Sequence, residues 1–236
     1  NGPDDMTALG YRALQSITTG GGNTAVGSFA LSQRTTGARN VAVGRNALSG
    51  SATGNNSVAI GVDAMRAGAS GSDNIAIGYQ ALTNDQSKEN VAIGSKALYT
   101  HYGSNAGFRG RNVAIGHEAM YNATTADRSV AIGYRAGYKK KVNNGSVYIG
   151  NDAGYNDISG SANTAVGGAA GFGFDGDNLY GTAIGTDALL TGGGSKNYTT
   201  VVGAYAARSA TSTNETVVIG DRAAQGAAAG NKVLNN

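Results

Sequence analysis

Apolar and small residues recur along this chain in one fixed phrase, clearest as Asn74-Ile75-Ala76-Ile77-Gly78-Tyr79-Gln80-Ala81-Leu82. Its glycine falls at Gly10, Gly27, Gly44, Gly61, Gly78, Gly94, Gly116, Gly133, Gly150, Gly167, Gly185, Gly203 and Gly220, so the period is 17 with small departures and one spacing of 22. Self-similarity of this kind marks a stacked-repeat architecture. Counting from the glycine, position −3 is Val, Ile or Thr and position −1 is Val, Ile or Leu. The two share parity, so on an extended strand they point to one face, and their β-branched character suits a strand. Position −2 between them is Ala in ten of thirteen copies, with Tyr148, Val201 and Val218 as exceptions. Ala and the repeat Gly form the opposite, nearly flat face, where another backbone can approach closely. The Val/Ile columns are expected to be the buried spine.

Position +3 is Ala in every copy, from Ala13 to Ala223, which predicts a narrow interior corner where one more methylene would overpack. Position +4 is Leu or Met early, as at Leu31, Leu48 and Met65, and becomes Gly or Ala at Gly137, Gly154, Gly171, Ala207 and Ala224. The core is therefore expected to thin toward the C-terminal half. Positions +1 and +2 vary freely and read as a solvated bend between two short strands. Gly20, Gly37, Gly54, Gly71 and Gly160, at +10, read as turn residues that need positive φ.

One copy is too short to bury its own apolar side, so the copies must stack. The fold class that follows is all-β: a parallel β-solenoid of about 13 coils of ~17 residues, roughly 60 Å long at the usual inter-strand spacing. Residues 6–226 form one repeat domain, 1–5 a lead-in, and 227–236 a neck or the start of a further module. The chain reads as a piece of a longer one.

Composition narrows the choices. Gly at 39 of 236 lacks a Gly-X-Y period, which excludes collagen, and the single proline lies outside the repeats. With no cysteine there is neither a disulfide nor a thiolate metal site. A net charge of +3 with 14% charged residues is too mild and dispersed for a nucleic-acid partner. No apolar run reaches membrane-spanning length.

The copies Asn56-Ser57-Val58-Ala59-Ile60-Gly61 and Arg128-Ser129-Val130-Ala131-Ile132-Gly133 resemble the SVAIG repeats of trimeric autotransporter adhesin (YadA-like) heads. Asn23 to Leu31 and Ser146 to Tyr155 are similar to repeats of phage tail fibres. The resemblance covers roughly residues 6–226. It implies a left-handed parallel β-roll, three chains side by side as a homotrimer, Val and Ile inside each chain, and a cell-surface or virion rod that contacts host surfaces. The flat Ala/Gly face would then meet the neighbouring chains. The period of 17 is longer than that of the adhesin heads, so the turns here are larger.

Candidate chemistry is sparse. His101 and His117 belong to no Ser/His/Asp constellation, and Asp157, Asp175 and Asp177 lack the glycine-rich nonapeptide of calcium-binding rolls, which leaves turn capping as their expected role. No catalytic, cofactor or metal residue is assigned. Five extra residues lie between Gly94 and Gly116, and insertions into solenoids become loops on one face, often the binding face. This selects Tyr99, His101, Tyr102, Phe108 and Arg109 as ligand candidates, with Tyr121 one coil later. Lys139, Lys140 and Lys141 form a basic bend that would suit an anionic glycan. The twelve tyrosines can stack on sugars or simply cover loop backbone. The leading expectation is a non-enzymatic adhesin or tail-fibre module that binds a cell-surface glycan or protein receptor. The alternative is a structural spacer that polymerises through open coil ends.

Overall fold

The computed structural model describes residues 5–33, 36–50, 53–67, 71–84, 87–101, 110–142, 145–174, 178–191, 196–210 and 213–225, and the backbone of 233–235. The chain forms two compact units, 1–125 and 126–236. Each is an all-β parallel solenoid with one three-residue strand per coil.

Unit 1 contains β1 (Thr7–Leu9), β2 (Thr24–Val26), β3 (Val41–Val43), β4 (Val58–Ile60), β5 (Ile75–Ile77), β6 (Val91–Ile93) and β7 (Val113–Ile115). They pair in chain order, and each repeat position lies beside its equivalent: Val41 opposite Val58, Ala42 opposite Ala59. The 22-residue spacing leaves register untouched, since Val91 still pairs with Val113. Unit 2 contains β8 (Val130–Ile132), β9 (Val147–Ile149), β10 (Thr164–Val166), β11 (Thr182–Ile184), β12 (Thr200–Val202), β13 (Val217–Ile219) and β14 (Val233–Asn235), again parallel and in order. β14 lies in the segment read as a neck or new module, and it adds a rung opposite Val217–Ile219.

The second strand expected in each coil does not form. Positions +1 to +6 are turns, with left-handed backbone at +2 and +4, as at Asn46 (φ 56°) and Leu48 (φ 51°), and again at −5, as at Arg39 (φ 55°). These turns still bond from coil to coil, as in Asn46 N–H to Ser28 O (3.0 Å) and Leu48 N–H to Ala64 O (2.9 Å).

The faces are reversed from the sequence expectation. Position −2 is the inside: Ala25, Ala42, Ala59, Ala76, Ala92 and Ala114 are fully buried. The Val/Ile positions at −3 and −1 face outward and are only half-covered or exposed, with Ile60 39% and Ile75 38% exposed in unit 1 and Ile149 37% and Ile219 46% exposed in unit 2. A coil of this size leaves room beneath its strand for a methyl, because Ala at +3 and Leu or Met at +4 already fill the interior. Both sets are buried, as expected for them, apart from the half-covered Ala13 of the first coil.

The repeat glycine is fixed by its neighbour. At Gly10 (φ 136°) an added Cβ would lie 2.6 Å from the carbonyl carbon and oxygen of Gly27. Of the +10 glycines, Gly20, Gly71 and Gly160 are required for a similar reason. Among the described residues Gly20, Gly37, Gly54, Gly71 and Gly160 do not have positive φ, which corrects the turn reading. A Cβ on Gly20 or Gly71 would instead strike the backbone of the next coil at Gly37 or Ser87.

A polar column completes the interior at −4. In unit 1, Asn23 Oδ1 accepts from Asn40 N–H (2.9 Å), Asn40 Oδ1 from Ser57 N–H (3.0 Å), and Asn74 Oδ1 from Asn90 N–H (2.9 Å). Each amide thus satisfies a backbone donor that would otherwise be buried without a partner.

Candidate functional site

Position +7 turns inward, and two of the proposed ligand residues occupy it. His101 is fully buried, with Nδ1 3.1 Å from Ser87 Oγ and Nε2 3.4 Å from Asn112 Nδ2. It closes the polar column inside unit 1 and is not a surface contact. Lys140 is also fully buried, so the basic bend offers at most Lys139 and Lys141 to a ligand.

Lys140 belongs to a dry cluster inside unit 2. Its ammonium lies 3.2 Å from Asp157 Oδ1, both side chains being inaccessible, and it also donates to Gly160 O. Asp157 accepts from Tyr148 Oη (2.6 Å), Asn163 Nδ2 (2.7 Å) and Gly160 N–H (2.8 Å). The last bond is the turn cap expected of Asp157; the ion pair was not foreseen. Burial pushes the Lys140 ammonium below its ordinary value, against the pull of Asp157. Burial pushes the Tyr148 phenol well above 10, and the Asp157 charge adds to the rise. With every group inaccessible and mutually satisfied, the cluster holds coils together and has no path to a substrate.

The tyrosines of the selected region stack on one another. Tyr99 lies parallel to Tyr121 at 5.1 Å, so the insertion's first residue and the residue one coil later do meet. Tyr102, Phe108 and Arg109 lie outside the described residues. In unit 2, Tyr138, Tyr155 and Phe172 form a continuous stack with centroids 5.0 and 5.3 Å apart. Lys139 Nζ is bonded to Asn156 Oδ1 (2.9 Å) and lies 5.3 Å from the Tyr155 ring. Lys141 is exposed. Arg135 pairs with Asp152 (2.9 Å), and that hydrogen bond raises its already high pKa. Rings stacked along successive coils cover one another's faces and present their edges, so the inner ring, Tyr155, cannot receive a sugar face-on.

Two surfaces escaped the sequence reading. One is the outward Val/Ile face; alternation revealed two faces but not which was inside. The other is an exposed pair, Tyr180 (56%) and Tyr198 (59%), stacked at 5.3 Å with rings 14° apart. Both sit at −5, a position that varies too freely to stand out. Among the described residues there is no cluster of His, Asp or Glu able to hold a metal, and no helix long and apolar enough to cross a membrane. No protein-family model, curated protein or solved structure matches the chain.

Proposed function

We propose that the chain is a non-enzymatic attachment module of a fibrous surface protein, an adhesin or a tail fibre. It associates side by side with copies of itself as a homotrimer outside the cell or on a virion, and it meets a cell-surface glycan or protein receptor through outward-facing positions. The observation that carries this reading is the apolar outer face of each unit. Val and Ile at −3 and −1 repeat in register from coil to coil, and Ile60, Ile75, Ile132, Ile149, Ile184 and Ile219 remain 36–46% exposed. A soluble monomer rarely leaves a contiguous apolar patch of this kind uncovered. A second copy carries the same periodic face, so like can pack on like without unpaired polar groups. This assigns the inter-chain contact to the Val/Ile face, in place of the Ala/Gly face, whose alanines line the interior.

The test has two arms. Light scattering on the purified chain should give three times the 23.5 kDa monomer mass, and Ile75→Lys with Ile149→Lys should lower it. A monomeric parent rejects the side-by-side assembly. Flow cytometry of labelled chain on panels of bacterial and animal cells should show saturable attachment; a chain that attaches to none rejects the adhesive role.

A further inference from the structure

Column −5 runs along the outside of both units and is built differently in each. In unit 1 it is a filled polar ladder from Arg39 to Arg111, with Gly22 as the rung before it: Arg39 Nε donates to Asn56 Oδ1 (2.7 Å), Asn56 Nδ2 donates to Asp73 Oδ1 (3.0 Å), and Arg111 pairs with Glu89 (3.6 Å). In unit 2 the column reads Arg128, Gly145, Ala162, Tyr180, Tyr198, Glu215. Two consecutive rungs, Gly145 and Ala162, carry almost no side chain. The rungs are held in place by the ladder around them: Gly145 N–H donates to Asp127 O (3.1 Å), Tyr180 N–H donates to Ser161 O (3.0 Å), and Ser161 bridges Leu179.

Neither backbone nor crowding demands a small residue at these rungs. Gly145 has φ 73°, but Arg, Asn, Asp, Glu and Tyr take left-handed φ of 48–62° elsewhere in the column. Among the described residues a Cβ built on Gly145 meets nothing within 4 Å, unlike the repeat glycines. The missing side chains leave a notch. From Arg128 to Tyr180 is three coil spacings, about 14 Å, so the gap admits one six-membered ring and its substituents.

Its walls are chemically distinct. Tyr198 covers one face of the Tyr180 ring, yet Tyr180 stays 56% exposed. The other face turns toward Ala162, whose methyl cannot cover it. At the far wall Arg128 is 54% exposed, with Nε held by Asp127 Oδ2 at 3.0 Å and the terminal guanidinium nitrogens as donors. An uncovered aromatic face opposite a fixed guanidinium suits a ring with an apolar C–H face and hydroxyls around its rim.

We infer that the notch between Arg128 and Tyr180, floored by Gly145 and Ala162, binds a pyranose ring of a surface glycan stacked on Tyr180. This rests on the attachment role proposed above and assigns the contact to unit 2, away from the insertion near 99–110.

Saturation-transfer-difference NMR with methyl β-D-galactopyranoside, methyl α-D-mannopyranoside and methyl N-acetyl-β-D-glucosaminide tests it. At least one glycoside should bind with millimolar affinity. Tyr180→Ala should weaken it about tenfold, the scale of one lost stacking contact. Ala162→Arg, which refills the rung with a residue the column accepts elsewhere, should abolish it while the thermal melt stays unchanged. Binding that survives Ala162→Arg overturns the notch. A parent chain that binds no glycoside but still attaches to cells overturns the notch and leaves the attachment role standing; loss of both overturns both.

Discussion

Units 1 and 2 share a period, a strand and a turn geometry, but they fill their interiors by different means. Unit 1 repeats one solution: Ala at −2 and +3, and Leu or Met at +4, as in Ala42, Ala47 and Leu48. Unit 2 places glycine at +4 in Gly137, Gly154 and Gly171 and brings bulk from elsewhere. A Cβ on Gly154 would strike the Tyr148 ring, and one on Gly171 would strike Phe174. Both aromatics are fully buried, so the core does not thin toward the C-terminus as the +4 column alone suggested. The coil holds a roughly constant interior volume, and which position supplies it is negotiable. Unit 2 also buries the Lys140–Asp157 pair, which has no described counterpart in unit 1.

The largest expected effect breaks that pair. Asp157→Ala leaves Lys140 in a dry interior without its counter-charge and should cost about 3–5 kcal/mol in denaturant unfolding. Replacing both, as Lys140→Met with Asp157→Leu, should recover much of the loss, because no charge then remains to be desolvated. A double variant as unstable as the single would mean the pair acts through its hydrogen bonds to Tyr148, Asn163 and Gly160, and not through charge balance. For scale, Leu48→Ala in unit 1 should cost about 2–5 kcal/mol from a plain cavity.

The next prediction turns a unit 2 coil into a unit 1 coil. Gly154→Leu forces a side chain into space held by Tyr148 and should cost about 1–3 kcal/mol by overpacking. The backbone itself is no obstacle, since Leu48 and Leu82 take the same left-handed conformation at φ 51° and 52°. Adding Tyr148→Ala restores the Ala/Leu pattern of unit 1, so the double variant should be more stable than either single one. Simple additivity in this cycle would show that the two positions do not share one volume.

How far such exchanges were legible in the sequence differs by column. The period, the strands, their parallel register and the buried Ala at +3 all follow from residues that hardly vary. The direction of the strand faces does not follow: a period of two separates Val/Ile from Ala without saying which side is inside, and only the narrowness of the coil decides for Ala. Column +7 was hidden for another reason. His101, Ala123, Lys140, Asp157 and Phe174 share no chemical class, and each is explained only by what the adjacent coil offers. The candidate contacts failed along the same line, since His101 and Lys140 looked like surface residues because their buried partners lie 11 to 20 residues away.

The cluster also gives unit 2 a distinctive alkaline profile. Lys140 titrates below its ordinary 10.5 when folded, so between that lowered value and 10.5 the unfolded chain holds the extra proton and stability rises with pH. Tyr148 titrates well above 10 when folded, so above pH 10 the folded chain holds the extra proton and stability falls. Unfolding free energy from pH 8 to 11.5 should therefore climb and then drop. Tyr148→Phe should cost about 1–2 kcal/mol near neutrality, for one hydrogen bond to a carboxylate, and flatten the drop above pH 10. An undiminished alkaline drop in that variant would assign it to other groups.

The smallest effect concerns the outer column, where unit 1 is filled from Arg39 to Arg111 and unit 2 leaves two consecutive rungs, Gly145 and Ala162, nearly bare. Asn56→Ala removes two exposed hydrogen bonds, to Arg39 and Asp73, and sets alanine at a left-handed φ of 55° that asparagine tolerates better, so it should cost about 1 kcal/mol. Gly145→Asn runs the other way. Its Cβ enters open space, and asparagine tolerates left-handed backbone, as Asn56 does at φ 55° in the same column. The left-handed strain on asparagine is small, and the unfolded chain loses the freedom of a glycine, so stability should rise by at most about 0.4–1 kcal/mol. A rise of that size, seen with weaker glycoside binding, would show that the empty rung is kept for something other than stability. A fall would show that the coil needs glycine there for its backbone, and the contrast between the two columns would then be one of strain and not of vacancy.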